Sequence, residues 1–202
     1  MRKTSWDELR LALASRSPAR VKDVVSARAA VAVVLREEPS GFEILFIRRA
    51  EAAGDPWSGQ MGFPGGRAAP EEELGRTAIR ETQEETGIDL GAHGELLGSL
   101  DEVRAMARMQ ALDLAITPFV FRLEGPAVFV PNPEVASLHW LPFDELRGPR
   151  YESTTEYVHL GATVRFPCLR FEGLVIWGLT YRMFTSLREL LDQEAARLAV
   201  AR

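Results

Sequence analysis

The stretch from Gly65 to Ile88, GGRAAPEEELGRTAIRETQEETGI, constrains this chain more than any other. No proline occurs between Glu71 and Thr86, and Leu74, Ala78 and Ile79 recur at helical spacing, which predicts a helix over 71–86. Gly87 is a natural stop, because glycine readily takes the left-handed conformation that ends helices. Glu81, Glu84 and Glu85 then lie on that helix. Residues three and four apart share a helix face, so Glu81 neighbours both of the others. Carboxylates at this spacing repel by roughly a few tenths of a kcal/mol per pair. A hard divalent cation turns the repulsion into attraction, since Mg²⁺ takes oxygen ligands and shares them with substrate phosphates. Arg80 sits beside the cluster, where a guanidinium fork can orient a carboxylate. Upstream, the glycine pair lets backbone come close to a ligand. A bare ETQEE is more often a solvated charged face, so the longer pattern has to decide.

Around this stretch the chain alternates strands and helices. Trp6, Leu9 and Leu13 predict a short amphipathic helix over 4–14, packed on the body of the domain, and Ser15 to Arg20 reads as a linker. Ala29–Leu35 and Phe42–Ile47, joined through Pro39-Ser40-Gly41, read as paired strands. Glu51 to Pro70 is rich in glycine and proline and reads as a long shaped loop, a type that is often functional. Further strands are expected at Leu96–Leu100, Ala115–Phe121, Ala127–Val130 and Val135–Leu141. A hairpin is expected over Thr163–Phe171 and Leu174–Trp177, then an amphipathic helix from Leu179 to about Val200. The sum is an α/β sandwich with a mixed sheet, divided as an N-terminal helix and linker (1–20) and one domain (21–202). The polar, Met-rich segment Arg104–Asp113 has no assigned place in this scheme.

Composition narrows the chemistry. At 202 residues, 46% hydrophobic and 26% charged, the chain can build a packed core. Its net charge of −5 gives no overall field that attracts nucleic acid or anionic membrane, so neither is expected as a partner. A phosphate-bearing substrate must be held by local arginines, backbone amides or a metal. Cys168 is the only cysteine, which excludes an internal disulfide and a CxxC motif. No apolar run approaches the roughly 20 residues of a membrane span, and the N-terminus makes a poor signal peptide, so a cytoplasmic location is the default. His93, His139 and His159 have neither metal-ligand nor triad spacing.

The full pattern resembles the Nudix box, G-x5-E-x7-R-E-U-x-E-E-x-G-U, where U is a bulky aliphatic residue. Gly66, Glu72, Arg80, Glu81, Glu84, Glu85, Gly87 and Ile88 stand at the matching positions, and Thr82 alone departs, where an aliphatic residue is usual. A chance match in a chain this long is on the order of one in a million. The resemblance implies a Nudix-type α/β/α sandwich with a mixed β-sheet. It also implies hydrolysis of a diphosphate linkage in a small molecule, with Mg²⁺ or Mn²⁺ as cofactor. By the same resemblance Glu81, Glu84 and Glu85 are the metal-binding carboxylates and Gly66 lends its backbone to the metal site. Glu72 and Arg80 hold loop and helix in register, Arg80 supporting the catalytic carboxylates. The family varies in its catalytic base, and Asp101, Glu102 and Glu134 are candidates beside the box glutamates, although an exposed loop acid is the commoner role for each.

A second resemblance lies upstream. The coenzyme A pyrophosphatases of the superfamily carry a stretch of the type LLTxRSAx3Rx3Gx3FPGG. Aligned on Arg49, the spacing carries through Gly59 to Phe63-Pro64-Gly65-Gly66, and Ile176-Trp177-Gly178-Leu179-Thr180 resembles the start of that subfamily's last helix. Phe46, Ile47, Ala50 and Glu51 depart from the pattern, and Asp55 stands where it has a second arginine. The resemblance implies coenzyme A or its thioesters as substrate, with Arg48, Arg49 and Arg67 supplying positive charge around the shaped loop. Trp57 reads either as a buried anchor or as a wall of the substrate cleft. The alternatives are a Nudix hydrolase for a nucleoside triphosphate, dinucleotide or nucleotide sugar, and a non-catalytic Nudix-fold binding module. A binding module is expected to lose one of the three glutamates, and all three are present.

Overall fold

Strand β1 (Ala27–Glu38) sets the layering of the molecule. Its apolar run is buried on both sides, and successive strand residues point to opposite faces. Val31, Val33 and Leu35 enter one core cluster, and Ala30, Ala32 and Val34 enter another. The computed structural model describes residues 3–107, 110–125, 128–130, 132–159 and 161–200. In chain order, α1 (Trp6–Ala14) precedes β1, and β2 (Gly41–Arg49), β3 (Met61–Gly62), β4 (Gly65–Arg67), α2 (Leu74–Thr86) and α3 (Leu90–His93) follow it. Next come β5 (Gly94–Ser99), β6 (Val103–Ala107), β7 (Gln110–Leu123), β8 (Val135–Pro142), α4 (Phe143–Leu146) and a 3₁₀ turn at Pro149–Tyr151. The chain closes with β9 (Glu152–His159), β10 (Ala162–Phe171), β11 (Leu174–Trp177) and α5 (Gly178–Val200).

The main sheet runs β3-β2-β1-β7-β5, with β4 also on β1, β6 on β7 and β8 on β2. β1 and β7 are parallel, from Ala27↔Leu114 to Leu35↔Arg122, and their other neighbours are antiparallel. This is the expected mixed sheet. On one face α2 packs Ala78 against Ala30, Ala32, Val34, Leu45 and Phe121. On the other, Leu9 and Leu13 of α1 join Phe184, Leu187 and Leu191 of α5 over Val33, Phe42 and Phe46. Helices therefore cover both faces, giving an α/β/α sandwich. A smaller sheet, β9-β10-β11, stands beside it. No helix among the described residues is long and apolar enough to cross a membrane.

Several elements differ from expectation. The helix expected from Glu71 begins at Leu74, because Glu71 takes a left-handed backbone (φ 63°) and Glu72 turns its carboxylate back to the Ala69 N–H. Residues 128–130 form no strand, and Ala127 lies outside the described residues. The unplaced Arg104–Asp113 segment supplies β6 and the start of β7, an antiparallel pair. β9 was not expected; its sequence, ESTTEYVH, is polar and half exposed, and only its ladder to β10 makes it a strand.

Candidate active site

α2 buries Gly75, Thr77, Ala78, Thr82, Glu85 and Thr86. Burying Glu85 in that row is chemically expensive, since its side chain is only 3% exposed. The Gly65 N–H donates to its Oε2 at 2.8 Å, and Arg49 Nη1 stands 4.0 Å from Oε1. Burial pushes its carboxyl up to about 7, the nearby charges of Glu81 and Glu134 push the same way, and the Gly65 amide and Arg49 only partly oppose them. Burial likewise raises Glu81, with Arg80 opposing. Glu84 is more exposed.

Gly66 faces this cluster across the loop. A Cβ built on it would lie 2.4 Å from the Glu81 carboxyl carbon and 2.5 Å from both oxygens. Only a residue without a side chain lets the carboxylate come against the backbone there. Arg80 ties the arrangement together. Its Nε and Nη2 donate to the two oxygens of Glu72 at 2.8 and 3.0 Å, and its Nη1 donates to Glu81 at 2.9 Å and Glu84 at 3.1 Å. Its Nη2 also donates to the Arg67 carbonyl.

The donor set fits a hard cation. It offers three acidic side chains on one helix, one of them buried with too little compensating charge, and a glycine that lets backbone approach. Among the described residues no three such groups converge on one point. Arg80 holds Glu81 and Glu84, while Glu85 is turned to the Gly65 amide.

Beside the glycine pair lies a cavity of about 250 Å³, lined by Arg49, Trp57, Gln60, Gly65, Gly66 and Arg67 among others. Arg67 is exposed and has no ion-pair partner among the described residues. Arg49 is engaged: Asp55 Oδ2 accepts from its Nε at 3.0 Å and its Nη2 at 2.8 Å. Arg48 is exposed and does not line this cavity; its charge acts on His139, which it lowers after burial does. Trp57 is half-buried: it packs against the core and lines the cavity, with its indole N–H donating to the Met106 carbonyl at 3.2 Å.

The NUDIX domain model matches residues 26–160. The chain belongs to the Nudix family. Over 166 residues it is 32% identical to the Nudix hydrolase NudL of Yersinia enterocolitica, covering 80% of this chain and 79% of that one. It is also 36% identical over 114 residues to an uncharacterized protein of Schizosaccharomyces pombe. That match covers 54% of this chain, which spans only 35% of the yeast protein's length. A MutT/nudix family protein from Enterococcus faecalis shares the fold, with a TM-score of 0.56 at 16% identity, over 94% of this chain and 70% of that one.

The Nudix box departure at Thr82 has a local explanation. Thr82 is fully buried, and its hydroxyl donates to the Ala78 carbonyl at 2.7 Å; Thr86 does the same to Thr82 at 2.6 Å. The hydroxyl is satisfied inside the helix, so its methyl can serve where an aliphatic side chain is usual.

Among the candidate bases, Asp101 and Glu102 are employed elsewhere. Asp101 pairs with Arg16 and accepts from the Ala19 N–H at 2.6 Å. Glu102, with a side chain 4% exposed, accepts from the Val21 N–H, Arg28 and Thr117. Both pin the linker to the sheet. Glu134 is the candidate whose charge reaches Glu81 and Glu85. Its segment is held nearby, as the Val130 N–H donates to the Thr86 carbonyl and the Glu134 carbonyl accepts from Ala50. Sequence reasoning missed a second cavity, walled by Tyr157, Phe166 and Trp177, because these residues come from β9, β10 and β11, far from the box in sequence.

Proposed function

We propose that this Nudix hydrolase uses Mg²⁺ or Mn²⁺ to hydrolyse the diphosphate linkage of a nucleoside-diphosphate derivative, with coenzyme A or its thioesters as the leading substrate. The observation that carries the reading is Glu85, a carboxyl buried on the box helix with little to balance its charge. Glu81, Glu84 and Glu85 hold the cation, with the Gly66 backbone. When bound, the cation neutralises the diphosphate and lowers the pKa of an attacking water. Arg80 positions the carboxylates and fixes them to the loop through Glu72. Arg67 attracts the anionic substrate at the cavity beside the glycine pair; Arg49 lines the same cavity with its charge shared with Asp55, and Arg48 does not line it. Glu134 is the loop carboxylate best situated to take a proton from water. Residues 21–202 form the hydrolase domain, and residues 1–20 its helix and linker.

Support for coenzyme A rests on Arg49 and the Gly59–Gly66 run, GQMGFPGG. Asp55 favours a second reading, a dinucleotide or nucleotide sugar, because it puts a carboxylate where the coenzyme A pattern has its second arginine and pairs with Arg49 beside it. The deciding experiment compares coenzyme A with dephospho-coenzyme A at equal Mg²⁺ and salt, reading products by mass. A clear preference for the 3′-phosphorylated compound supports the first reading. Cleavage of neither, with efficient cleavage of a dinucleotide or nucleotide sugar, removes coenzyme A and leaves the diphosphate hydrolase.

A further inference from the structure

The hydroxyl of Thr180 donates to the Met61 carbonyl at 2.9 Å, joining two buried residues 119 positions apart. Thr180 lies in the first turn of α5, just after Gly178, whose left-handed backbone (φ 64°) turns the chain from β11 into the helix. Threonines deeper in a helix turn their hydroxyls back onto the carbonyl one turn earlier, as Thr82 and Thr86 do in α2. One turn before Thr180 the chain is still strand β11, at Ile176. The Thr180 hydroxyl is therefore available to another element, and it crosses to β3.

β3 alone is a weak anchor. It is two residues long and stands at the end of the main sheet, and its ladder to β2 consists of Ile47↔Gly62 and Arg48↔Met61. Met61 also opens the run that leads to the glycine pair. Further along, Phe63 stacks on Phe46 at 4.9 Å, the Pro64 carbonyl accepts from the Ala32 N–H at 2.8 Å, and the Gly65 N–H reaches Glu85. These contacts hold the run to the sheet and to α2. The Thr180 hydroxyl ties its start to α5, and Thr180 lines the cavity beside the glycine pair with Leu179 and Met183 of the same helix. One hydroxyl thus links a wall of that cavity to the strand that presents the Gly65 amide.

The fit at the far end of the run leaves little slack. A Cβ on Gly65 would lie 2.2 Å from the Ala30 carbonyl oxygen, and one on Gly66 2.4 Å from the Glu81 carboxyl carbon. Close-packed contacts pass on a small shift rather than absorbing it. Misplacing reacting groups by about 1 Å can cost on the order of a hundredfold in rate. We propose that Thr180 is a positioning residue for the hydrolysis: through Met61 it sets where the glycine pair stands against Glu81 and Glu85, and how far that pair lies from the α5 wall of the cavity. The proposal rests on the reading of this site as a metal-dependent hydrolase.

The test compares Thr180→Val, which keeps the shape and removes the hydroxyl, with Thr180→Ser, which keeps the hydroxyl. In the valine variant kcat should fall about tenfold while KM changes less than about twofold, since the substrate still binds but is held out of line. Mn²⁺ binding to the substrate-free protein, read from the paramagnetic resonance of free Mn²⁺, should weaken severalfold. In metal-free protein the Gly65 amide should exchange its hydrogen severalfold faster. Thr180→Ser should restore all three. Thr180→Ala leaves room for a water at the Met61 carbonyl and should show the same losses, so it replaces the valine variant if that chain does not fold. A lower melting temperature with kcat, Mn²⁺ affinity and Gly65 exchange all unchanged would reduce Thr180 to a structural anchor and overturn the proposal. Serine behaving like valine would overturn it too. Failure of the hydrolase reading looks different: Mn²⁺ affinity and Gly65 exchange respond as described, yet the unaltered chain cleaves no diphosphate compound.

Discussion

Asp55 holds Arg49 by two hydrogen bonds to a single carboxylate oxygen, while its other oxygen caps the Trp57 N–H at 3.0 Å. One side chain thus shapes the loop and neutralises the arginine nearest the buried Glu85. Asp55→Asn keeps the cap and removes the charge. The Michaelis constant for the anionic substrate should fall severalfold with little change in turnover, since a freed cation adds attraction common to ground and transition states. An unchanged constant would show that Arg49 does not face the substrate.

Turnover should stop in excess chelator and return with Mg²⁺ or Mn²⁺. Glu84→Gln and Glu85→Gln should each lower kcat by about a hundredfold or more, the range seen when electrostatic stabilisers are removed. Circular dichroism checks that both stay folded. Full activity in either folded variant overturns the role given to that residue.

The metal-free protein should lose stability as pH rises from about 4.5 to about 7. The Glu85 carboxyl sits near 7 when folded, so over this window the native state holds a proton that the unfolded state has released. Stability then declines with pH until Glu85 ionises in both states. Glu85→Gln should flatten that part of the curve, and Mg²⁺ should oppose it by favouring the ionised form. Thermal melts of both proteins at several pH values, with and without Mg²⁺, provide the check.

Glu72 behaves oppositely. Arg80 and the Ala69 amide hold its carboxyl down at about 2. Its contribution is complete above the ordinary glutamate pKa and is lost as pH falls through the folded value. Glu72→Gln should therefore lower the melting temperature at pH 7, and the gap should close towards pH 2. Arg80→Lys, which keeps the charge without the fork, should reduce kcat or metal affinity more than substrate binding. The reverse pattern would make Arg80 a substrate contact.

The helix, its stop and its acids were legible in sequence because they are local: a 3.6-residue period, a left-handed glycine (Gly87, φ 78°) and fixed spacing. What Glu85 experiences was not, since its burial depends on a sheet assembled from distant strands. Asp55 read as a lost arginine; that it engages Arg49 emerges only when the loop closes. The acids of Asp101 and Glu102 looked like candidate bases because sequence shows an acid after a strand, and cannot show that Arg16 and Arg28 reach them across more than 70 residues. Strand β9 escaped because its neighbours, rather than its own apolar pattern, make it a strand.

Glu102→Gln tests that structural assignment. It should cost about 1–3 kcal/mol of stability through a weakened buried network, and leave kcat nearly unchanged. A collapse of kcat at intact stability would return Glu102 to the list of bases.

The clamp on the linker has a consequence for where this protein can be cut. Leu9, Ala12 and Leu13 belong to the same core as α5, and the backbone amides of Ala19 and Val21 are spoken for by Asp101 and Glu102. A chain started at residue 21 would uncover an apolar strip on α5 and strip Asp101 of both its partners. The helix that sequence places against the body of the domain is, in packing, one of its walls, and a chain cut back to residue 21 loses it.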